Sequence, residues 1–354
     1  MQRVDFLVIG QGLAGTTFAH AVEKAGKSLL IVDNCSEKSS SFAAAGIINP
    51  ISFKRLILSW KAELLIPFAK EFYKKIDSKL AANFFSEHAL YRIFSSIEEQ
   101  NNWHIKLKES TINKFISQPN SGLDLHKLNA PFGYGKVNSA ARLDVAKYIL
   151  KSRAYFLKGN KIKEQDFKHK NLSKVNNGWV YKNILADNVV FCEGPKYTSN
   201  PFFNYLPAPF TKGETLTVKS ATIPNKFINK GCFSFPLKNN TFLIGSTYNH
   251  KDMTLNPTPV AKEELELKLK EINSFSYTIT NQKAGIRPTT TDRRPIIGKH
   301  PAINNLYIFN GLGSKGVMLA PYFSNELIQH VCFGKPIDSE ANVQRYTKKH
   351  FKGA

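Results

Sequence analysis

The first thirty-odd residues constrain this chain most. In "VDFLVIGQGLAGTTFAHAVEKAGKSLLIVDN", Val4 to Ile9 is a short apolar run, Gly10, Gly12 and Gly15 follow as G-x-G-x-x-G, and Thr16 to Lys24 continues with helical character. After Gly26, "SLLIVD" reads as a second strand ending in Asp33. A lone G-x-G-x-x-G says little. Strand, glycine turn, helix, strand and terminal acid within roughly thirty residues specify a parallel β–α–β unit for a dinucleotide. Gly10 permits the tight turn, Gly12 lets a pyrophosphate approach the backbone without meeting a Cβ, and Gly15 lets the helix lie close to the sheet. The helix N-terminus offers unpaired N–H groups and partial positive charge to the phosphates. Asp33 is placed to accept both hydroxyls of an adenosine ribose, which disfavours a 2′-phosphate. The fingerprint by itself leaves NAD and FAD open.

A small-residue segment follows, "SSSFAAAGIINP", in which Ala43, Ala44, Ala45 and Gly46 can thread close to an extended cofactor. Beyond it, "FKRLILSWKAELLIPFAKEFYKKI" has helical periodicity interrupted at Pro67. At 354 residues, 42% hydrophobic and 21% charged, the chain is too long for one simple core, and two domains are expected. No apolar run approaches the roughly 20 residues that cross a bilayer, and the first ten residues read as a strand, so a cytoplasmic protein is expected. The four cysteines (Cys35, Cys192, Cys232, Cys332) form no C-x-x-C pair and suggest neither a disulfide framework nor a metal site. A net charge of +22 would attract nucleic acid, acidic membranes or anionic substrates, or it reflects a lysine-rich composition. The lysines are spread along the chain, but two clusters stand out: Lys151 to Lys170 and the tail Gln344 to Ala354.

Several separated blocks carry a resemblance: "VIGQGLAG…IVD", "AAAGIINP", "NVVFCEGP", "KGETLTV", "FPLKNNTFLIGST", "AGIRPTTTDRRPIIG" and "FNGLGSKGVMLAP". Together, in this order, the chain resembles the flavin-dependent amino-acid and amine oxidases of the D-amino-acid oxidase superfamily, especially the glycine oxidase and sarcosine oxidase branch. "GLGSKGVMLAP" is also similar to the flavin domain of the bifunctional enzyme that modifies the wobble uridine of transfer RNA. The resemblance implies an α/β fold: a Rossmann-like FAD-binding domain with an inserted α+β substrate domain containing an antiparallel sheet. It places the discontinuous FAD-binding domain at 1–82, 136–214 and 282–354, and the substrate domain at 83–135 and 215–281. Composition agrees in part, since "TLTVKSATI", "GCFSFPL" and "TFLIGSTY" read as strands and Ala261 to Ile272 as an amphipathic helix. "GKVNSAARLDVAKYIL" reads as a return to the cofactor domain, with Asn138 or Ser139 as a helix cap; the resemblance implies that Val137 lies beside the adenine-side contacts. Gly194 would touch the cofactor phosphates; its neighbour Glu193 departs from the family pattern, and its carboxylate is expected to point away from them.

The family chemistry removes a hydride equivalent from the carbon attached to nitrogen, after which the imine hydrolyses, with dioxygen as the expected acceptor. The cofactor carries the difficult step and the protein supplies orientation and electrostatics. That accounts for the lack of any convincing nucleophile–base or paired-carboxylate constellation. The resemblance places Arg287, in "GIRP", as the anchor for a substrate carboxylate, a task suited to a planar, permanently charged, bidentate fork. The alternative for Arg287 is a salt bridge to an internal carboxylate. Arg293 and Arg294 belong to the following turn, where Asp292 can pair with either, and Thr289 and Thr290 are candidates for lining the route from anchor to flavin. Gly311, Gly313 and Gly316 can bring backbone N–H groups to the pyrimidine end of the flavin, with a helix beginning near Val317 pointing its positive end there. Lys315 would add charge for dioxygen reduction or for an anionic substrate. Phe233, Phe235 and Tyr248 are candidates for shaping a small pocket. FAD is expected to be non-covalent, because no cysteine lies between Cys232 and Cys332 and His300 sits in an expected surface turn. The expected substrate is a small amine or amino acid; the alternatives are a tRNA wobble-uridine side chain and a non-catalytic FAD-binding protein.

Overall fold

The N-terminal pattern folds as strand Gln2–Ile9, helix Leu13–Lys24 and strand Leu29–Asp33 in a computed structural model that describes residues 1–36, 39–118 and 123–351. The two strands pair in parallel, Phe6 opposite Leu29 through Ile9 opposite Val32. Because successive side chains of a strand point to opposite faces, the apolar run serves two cores at once. Phe6 and Val8 enter one core and Leu7 and Ile9 the other.

On the other side of Gln2–Ile9 lies Ile184–Phe191, also parallel. This strand forks: Ile184–Ala186 takes Gly178–Tyr181 antiparallel, while Val189–Phe191 takes Leu306–Ile308 in parallel. Ile162–Glu164 extends the sheet beyond Leu29–Asp33. The carboxyl ends of five parallel strands therefore share one edge, the place where open α/β sheets receive ligands.

The second sheet runs Thr278–Arg287, Thr211–Lys219, Thr241–Gly245, Cys232–Pro236, Phe227–Lys230, Phe85–Ile93, Tyr134–Leu143, Ile47–Ile48. Its neighbours are antiparallel except Phe227–Lys230 beside Phe85–Ile93. Helix Pro259–Ile272 buries Leu265, Leu269 and Ile272 against Leu216, Val218 and Ile244 of this sheet in a separate core. The molecule is thus a mixed α/β protein with a largely parallel sheet, covered by helices, and a largely antiparallel one.

Three local readings need correction. Tyr134–Leu143 is a strand of the second sheet, and the cap of the next helix, Val145–Lys158, is Asp144, which accepts from Lys147 N at 3.2 Å. Asn138 and Ser139 instead form a bulge, the register jumping from Leu90↔Val137 to His88↔Ala140 with Ser139 at φ 63°. The extra residue breaks the alternation that marks a strand, which is why "NSAAR" reads as a helix start. Residues 136–143, 211–214 and 282–287, assigned from sequence to the cofactor segments, accordingly hydrogen-bond within the second sheet. Ile51–Leu58 is a small hairpin rather than helix, and helix Ala62–Leu80 runs through Pro67 without stopping. Pro67 lies near the helix start, so the missing N–H deprives only the Glu63 carbonyl of its partner. Of the basic tail Gln344 to Ala354, residues 352–354 lie outside the described residues.

Candidate active site

One cavity of about 870 Å³ opens where the carboxyl edge of the first sheet meets the second sheet. Gly10, at φ +94°, makes the first turn, and a Cβ there would stand 2.6 Å from the Cys192 carbonyl. A Cβ on Gly15 would come within 1.9 Å of the Gly10 carbonyl, so Gly15 brings the helix onto the turn and does not itself line the cavity. Gly12 is the helix N-cap, with no side-chain cap and no acid in the first turn. Ser41 Oγ accepts from Leu13 N at 2.9 Å, which leaves other first-turn N–H groups without intrahelical acceptors, facing a cavity that Gly12 and Ala14 line. A second helix, Gly316–Phe333, begins on the same cavity, again with no acid in its first turn. Two positive helix ends therefore bound one space, an arrangement suited to a pyrophosphate at one end and to the anionic form of a reduced flavin ring at the other.

At the far end Asp33 is held from several sides. Its Oδ2 accepts from Gln11 N at 2.9 Å, and its Oδ1 accepts from Cys35 N at 2.7 Å and Arg153 Nη1 at 3.0 Å. Arg153, 4% exposed, also donates to Gln11 Oε1 at 2.6 Å and Glu164 Oε1 at 3.0 Å. The carboxylate still faces the cavity, its side chain 20% exposed, with lone pairs to accept from a ribose. Gln11 Nε2 is buried with no partner, a donor lacking an acceptor at the edge of this space. The glycine cradle, the two helix ends, the oriented acid and the orphan amide fit an extended FAD.

The opposite end is built by the second sheet. Arg287 closes strand Thr278–Arg287, and its guanidinium donates only to neutral groups: Ser246 Oγ at 3.0 Å, the Thr247 carbonyl at 3.3 Å from both terminal nitrogens, and the Lys212 carbonyl at 3.3 Å. Among the described residues no carboxylate pairs with it, so the internal salt bridge considered from sequence is not formed. Burial lowers its pKa from the ordinary arginine value. The Tyr248 ring lies 4.4 Å from the guanidinium carbon. A Cβ on the facing Gly213 would fall 1.9 Å from Nη2, so the cation occupies the space that a side chain there would take.

Lys315 lines the cavity at the helix start and donates to Ser59 Oγ. Burial first, then the charges of Arg293 and Arg294, push its ammonium down to about 8. Glu193 turns its carboxylate to His169 Nε2 at 3.0 Å and Asn200 Nδ2 at 2.6 Å.

The cavity thus gathers Gly10, Gly12, Asp33, Ala45, Gly46, Gly194, Gly313, Gly316, Arg287 and Lys315. It does not gather Gly15, Val137 or Gly311. Val137 is wholly buried in the second sheet opposite Leu90, and Gly311 packs against Ile296 and Thr290 behind the cavity wall. Thr289 and Thr290 are turned to the Pro209 and Arg294 carbonyls and line nothing. Asp292 forms its ion pair with Arg345 at 2.8 Å and from Arg294 accepts only the backbone N at 3.0 Å, while the Arg294 guanidinium pairs with Glu340 at 3.2 Å. His300 is buried, its Nδ1 accepting from Ala302 N and Ile303 N, and is no surface residue. Phe233 and Tyr248 reach the cavity; Phe235 packs beneath against His88 and Phe227. Sequence reasoning missed Arg153, which it left inside a basic cluster. The signal was present, because Arg153 shares the buried face of its helix with Ile149, Ser152 and Phe156.

Among the described residues no helix is long and apolar enough to cross a membrane, and no cluster of potential metal ligands occurs. A family model described as FAD dependent oxidoreductase (DAO) matches residues 5–329. The tRNA 5-methylaminomethyl-2-thiouridine biosynthesis bifunctional protein MnmC of Leptospira interrogans is 23% identical over 401 aligned positions, covering 96% of this chain and 59% of that protein. This chain therefore spans little more than half the length of that relative. Glycine oxidase of Bacillus subtilis is 28% identical over 171 positions, 44% of each chain. The structure of glycine oxidase from Geobacillus kaustophilus superposes with a TM-score of 0.78 at 18% identity, covering 95% of this chain and 96% of that one.

Proposed function

This chain belongs to the FAD dependent oxidoreductase (DAO) family, and from that premise we propose that it oxidises the carbon–nitrogen bond of an amine bearing a carboxylate. The observation that carries the proposal is Arg287: a cavity-facing guanidinium supported by neutral acceptors alone, with no carboxylate of its own. A buried cation without a counter-ion is costly, and an incoming carboxylate supplies one. Gly10, Gly12, Gly194, Asp33 and the start of the first helix would hold the pyrophosphate and ribose. Gly313, Gly316 and Lys315 would hold the other end. When bound, FAD supplies the two-electron acceptor. The chain's own residues orient the amine by its carboxylate, screen it with Tyr248 and Phe233, and offer a cation at Lys315 Nζ for an anionic group or for dioxygen reduction. Non-covalent binding fits the cysteines: Cys35 and Cys192 line the cavity beside Asp33 and Gly10, at the end away from Arg287.

A second reading keeps the anchor and enlarges the substrate to the aminomethyl side chain of a tRNA wobble uridine. It is favoured by the similarity to MnmC, which extends over 96% of this chain where the glycine oxidase match extends over 44%. The +22 charge agrees with a polyanionic substrate, and exposed Lys54, Arg55 and Lys196 sit on or beside cavity-lining segments. Anaerobic flavin reduction tested against glycine, sarcosine, D-amino acids, proline and undermodified tRNA decides between the readings. Bleaching by a free amino acid supports the first; bleaching only by tRNA, with binding that falls steeply with salt, supports the second. No bleaching by any carboxylated amine, free or in tRNA, would overturn both.

A further inference from the structure

The segment Tyr248–Thr258 has no regular structure, yet it forms the outer wall of the cavity at its Arg287 end. Tyr248, Met253 and Leu255 line the space, and the Tyr248 ring lies over the guanidinium. A segment of this kind needs something to hold it. Lys212 is 1% exposed, and its ammonium donates to Asp252 Oδ2 at 2.6 Å, Thr254 Oγ1 at 3.3 Å and the Asn256 carbonyl at 2.5 Å. An ammonium has three donors, and all three go to this one segment. The backbone of the same residue pairs with Asn249, N to O at 2.8 Å and O from N at 2.9 Å. Its carbonyl also accepts from Arg287 Nη1.

Two residues on, Glu214 is 2% exposed and binds the far end of the segment. Its carboxylate accepts from Thr258 N and Thr258 Oγ1, both at 2.9 Å, from Gln282 Nε2 at 2.8 Å, and stands 3.5 Å from Lys212 Nζ. Thr258 is in turn the N-cap of helix Pro259–Ile272, so the strap ends on a fixed element. Lysine is among the residues least often fully buried, and a purely packing role would be filled better by an apolar side chain of similar length.

We propose that Lys212 is a positioning residue that straps Tyr248–Thr258 across the Arg287 end of the cavity, so that the fastening of this strap sets which carboxylated amines are held there. The proposal rests on the reading of Arg287 as the substrate anchor. Through its carbonyl Lys212 steadies the guanidinium, and through its ammonium it places the Tyr248, Met253 and Leu255 wall around whatever the guanidinium holds. The Lys212 ammonium holds the Asp252 carboxyl at about 2, well under the usual carboxylate range, so the fastening is intact at neutral pH.

The test uses the FAD-loaded protein and the variants Asp252→Asn and Lys212→Met, with Asp252→Glu as the conservative variant. Asp252 lies on the exposed strap, so its substitution leaves the cores untouched even where Lys212→Met, which strands the buried Glu214 carboxylate, fails to fold. Four quantities are read: the substrate dissociation constant and limiting rate of anaerobic flavin reduction, FAD affinity, and the rate of tryptic cleavage after exposed Lys251 in the strap. The expected result for Asp252→Asn is about tenfold weaker substrate binding and about tenfold faster cleavage after Lys251, with the limiting reduction rate and FAD affinity held within about threefold. Asp252→Glu recovers most of both losses. Unchanged cleavage after Lys251 together with unchanged substrate affinity in Asp252→Asn would overturn the strap. Where no amine reduces the wild-type flavin, the substrate reading fails and the cleavage rate alone still decides the strap: faster cleavage upholds the fastening, equal cleavage removes it.

Discussion

Arg287→Ala is the substitution on which the functional reading depends most directly. The guanidinium makes four bonds to three neutral oxygens of the protein, which engages every terminal N–H and leaves only Nε–H, so a bidentate carboxylate takes Nε–H together with one terminal N–H that it wins from a neutral acceptor. Hydrogen bonds to charged groups contribute about 1.5–3 kcal/mol each, and a bidentate carboxylate makes two. Allowing for water that replaces part of the loss, truncation should cost about 3–4 kcal/mol of substrate binding, or a hundredfold to a thousandfold at ~1.4 kcal/mol per decade. Arg287→Lys keeps the charge but not the fork and should cost about tenfold. The assay is a cycle in anaerobic stopped-flow: wild type and Arg287→Ala, each with sarcosine and with the carboxylate-free analogue dimethylamine, FAD affinity being measured alongside. If Arg287 holds the carboxylate, removing it hurts sarcosine and leaves the poor reaction of the analogue nearly unchanged. An equal loss with both substrates would refute the anchor and return Arg287 to a packing role beside Tyr248.

Three further outcomes follow from the same geometry. Gly213→Ala should displace the guanidinium without removing its charge, because the new Cβ would stand 1.9 Å from Nη2; the substrate dissociation constant should rise at least about tenfold, with a stability loss of about 1–3 kcal/mol in denaturant melts. Gly15→Ala places a methyl 1.9 Å from the Gly10 carbonyl, and because the clash is with backbone it should lower both the melting temperature and the fraction of FAD retained through gel filtration. Lys315 titrates near 8 in the fold against an ordinary 10.5, so between those values the unfolded chain binds more protons and folding stability gains as pH rises. The difference in stability between Lys315→Met and wild type should therefore be largest below about pH 8 and shrink towards pH 10.5, while any affinity of the free site for anions fades over the same window; a difference that stays flat from pH 7 to 10 would show that Lys315 is not desolvated.

The legible parts of the sequence were those whose chemistry is local. Gly10, Gly12, Gly15 and Asp33 are tied together by one turn and one helix, so their spacing carries their geometry. Arg287 stood out in its block as a cation among apolar neighbours, but its role as anchor came from the resemblance and is the role proposed above. What escaped depends on pairing between distant segments. Val137 was misplaced because a bulge at Asn138 and Ser139 disguises a strand whose partner, Phe85–Ile93, lies some fifty residues earlier. Thr289 and Thr290 look like cavity lining until the Pro209 and Arg294 carbonyls claim their hydroxyls. Arg153 was hidden in a run of surface cations because charge was counted there and helical phase was not. Gly213 drew no notice, since nothing in the linear sequence says that Arg287 will fill the place of its missing side chain.

The two sheets divide the work in a way that bears on the substrate. The cavity-lining Gly10, Gly12, Gly194, Asp33 and both helix ends belong to the first sheet, its helices and its turns, whereas Arg287, Gly213, Ser246 and Tyr248 all come from the second sheet or the segment leaving it. The distance from anchor to acceptor is therefore set by how the sheets meet, and both substrate readings place a carboxylate at the same fork. They differ only in what lies beyond Tyr248, which is 60% exposed and forms the outermost contact of the anchor. A free amino acid ends inside the strap; a nucleoside side chain must pass it, with the polymer lying outside among exposed cations. The strap variants consequently separate the readings as well. Loosening the strap should weaken a small amino acid, whose wall it is, and should spare a tRNA substrate whose binding comes mainly from phosphate contacts outside the cavity.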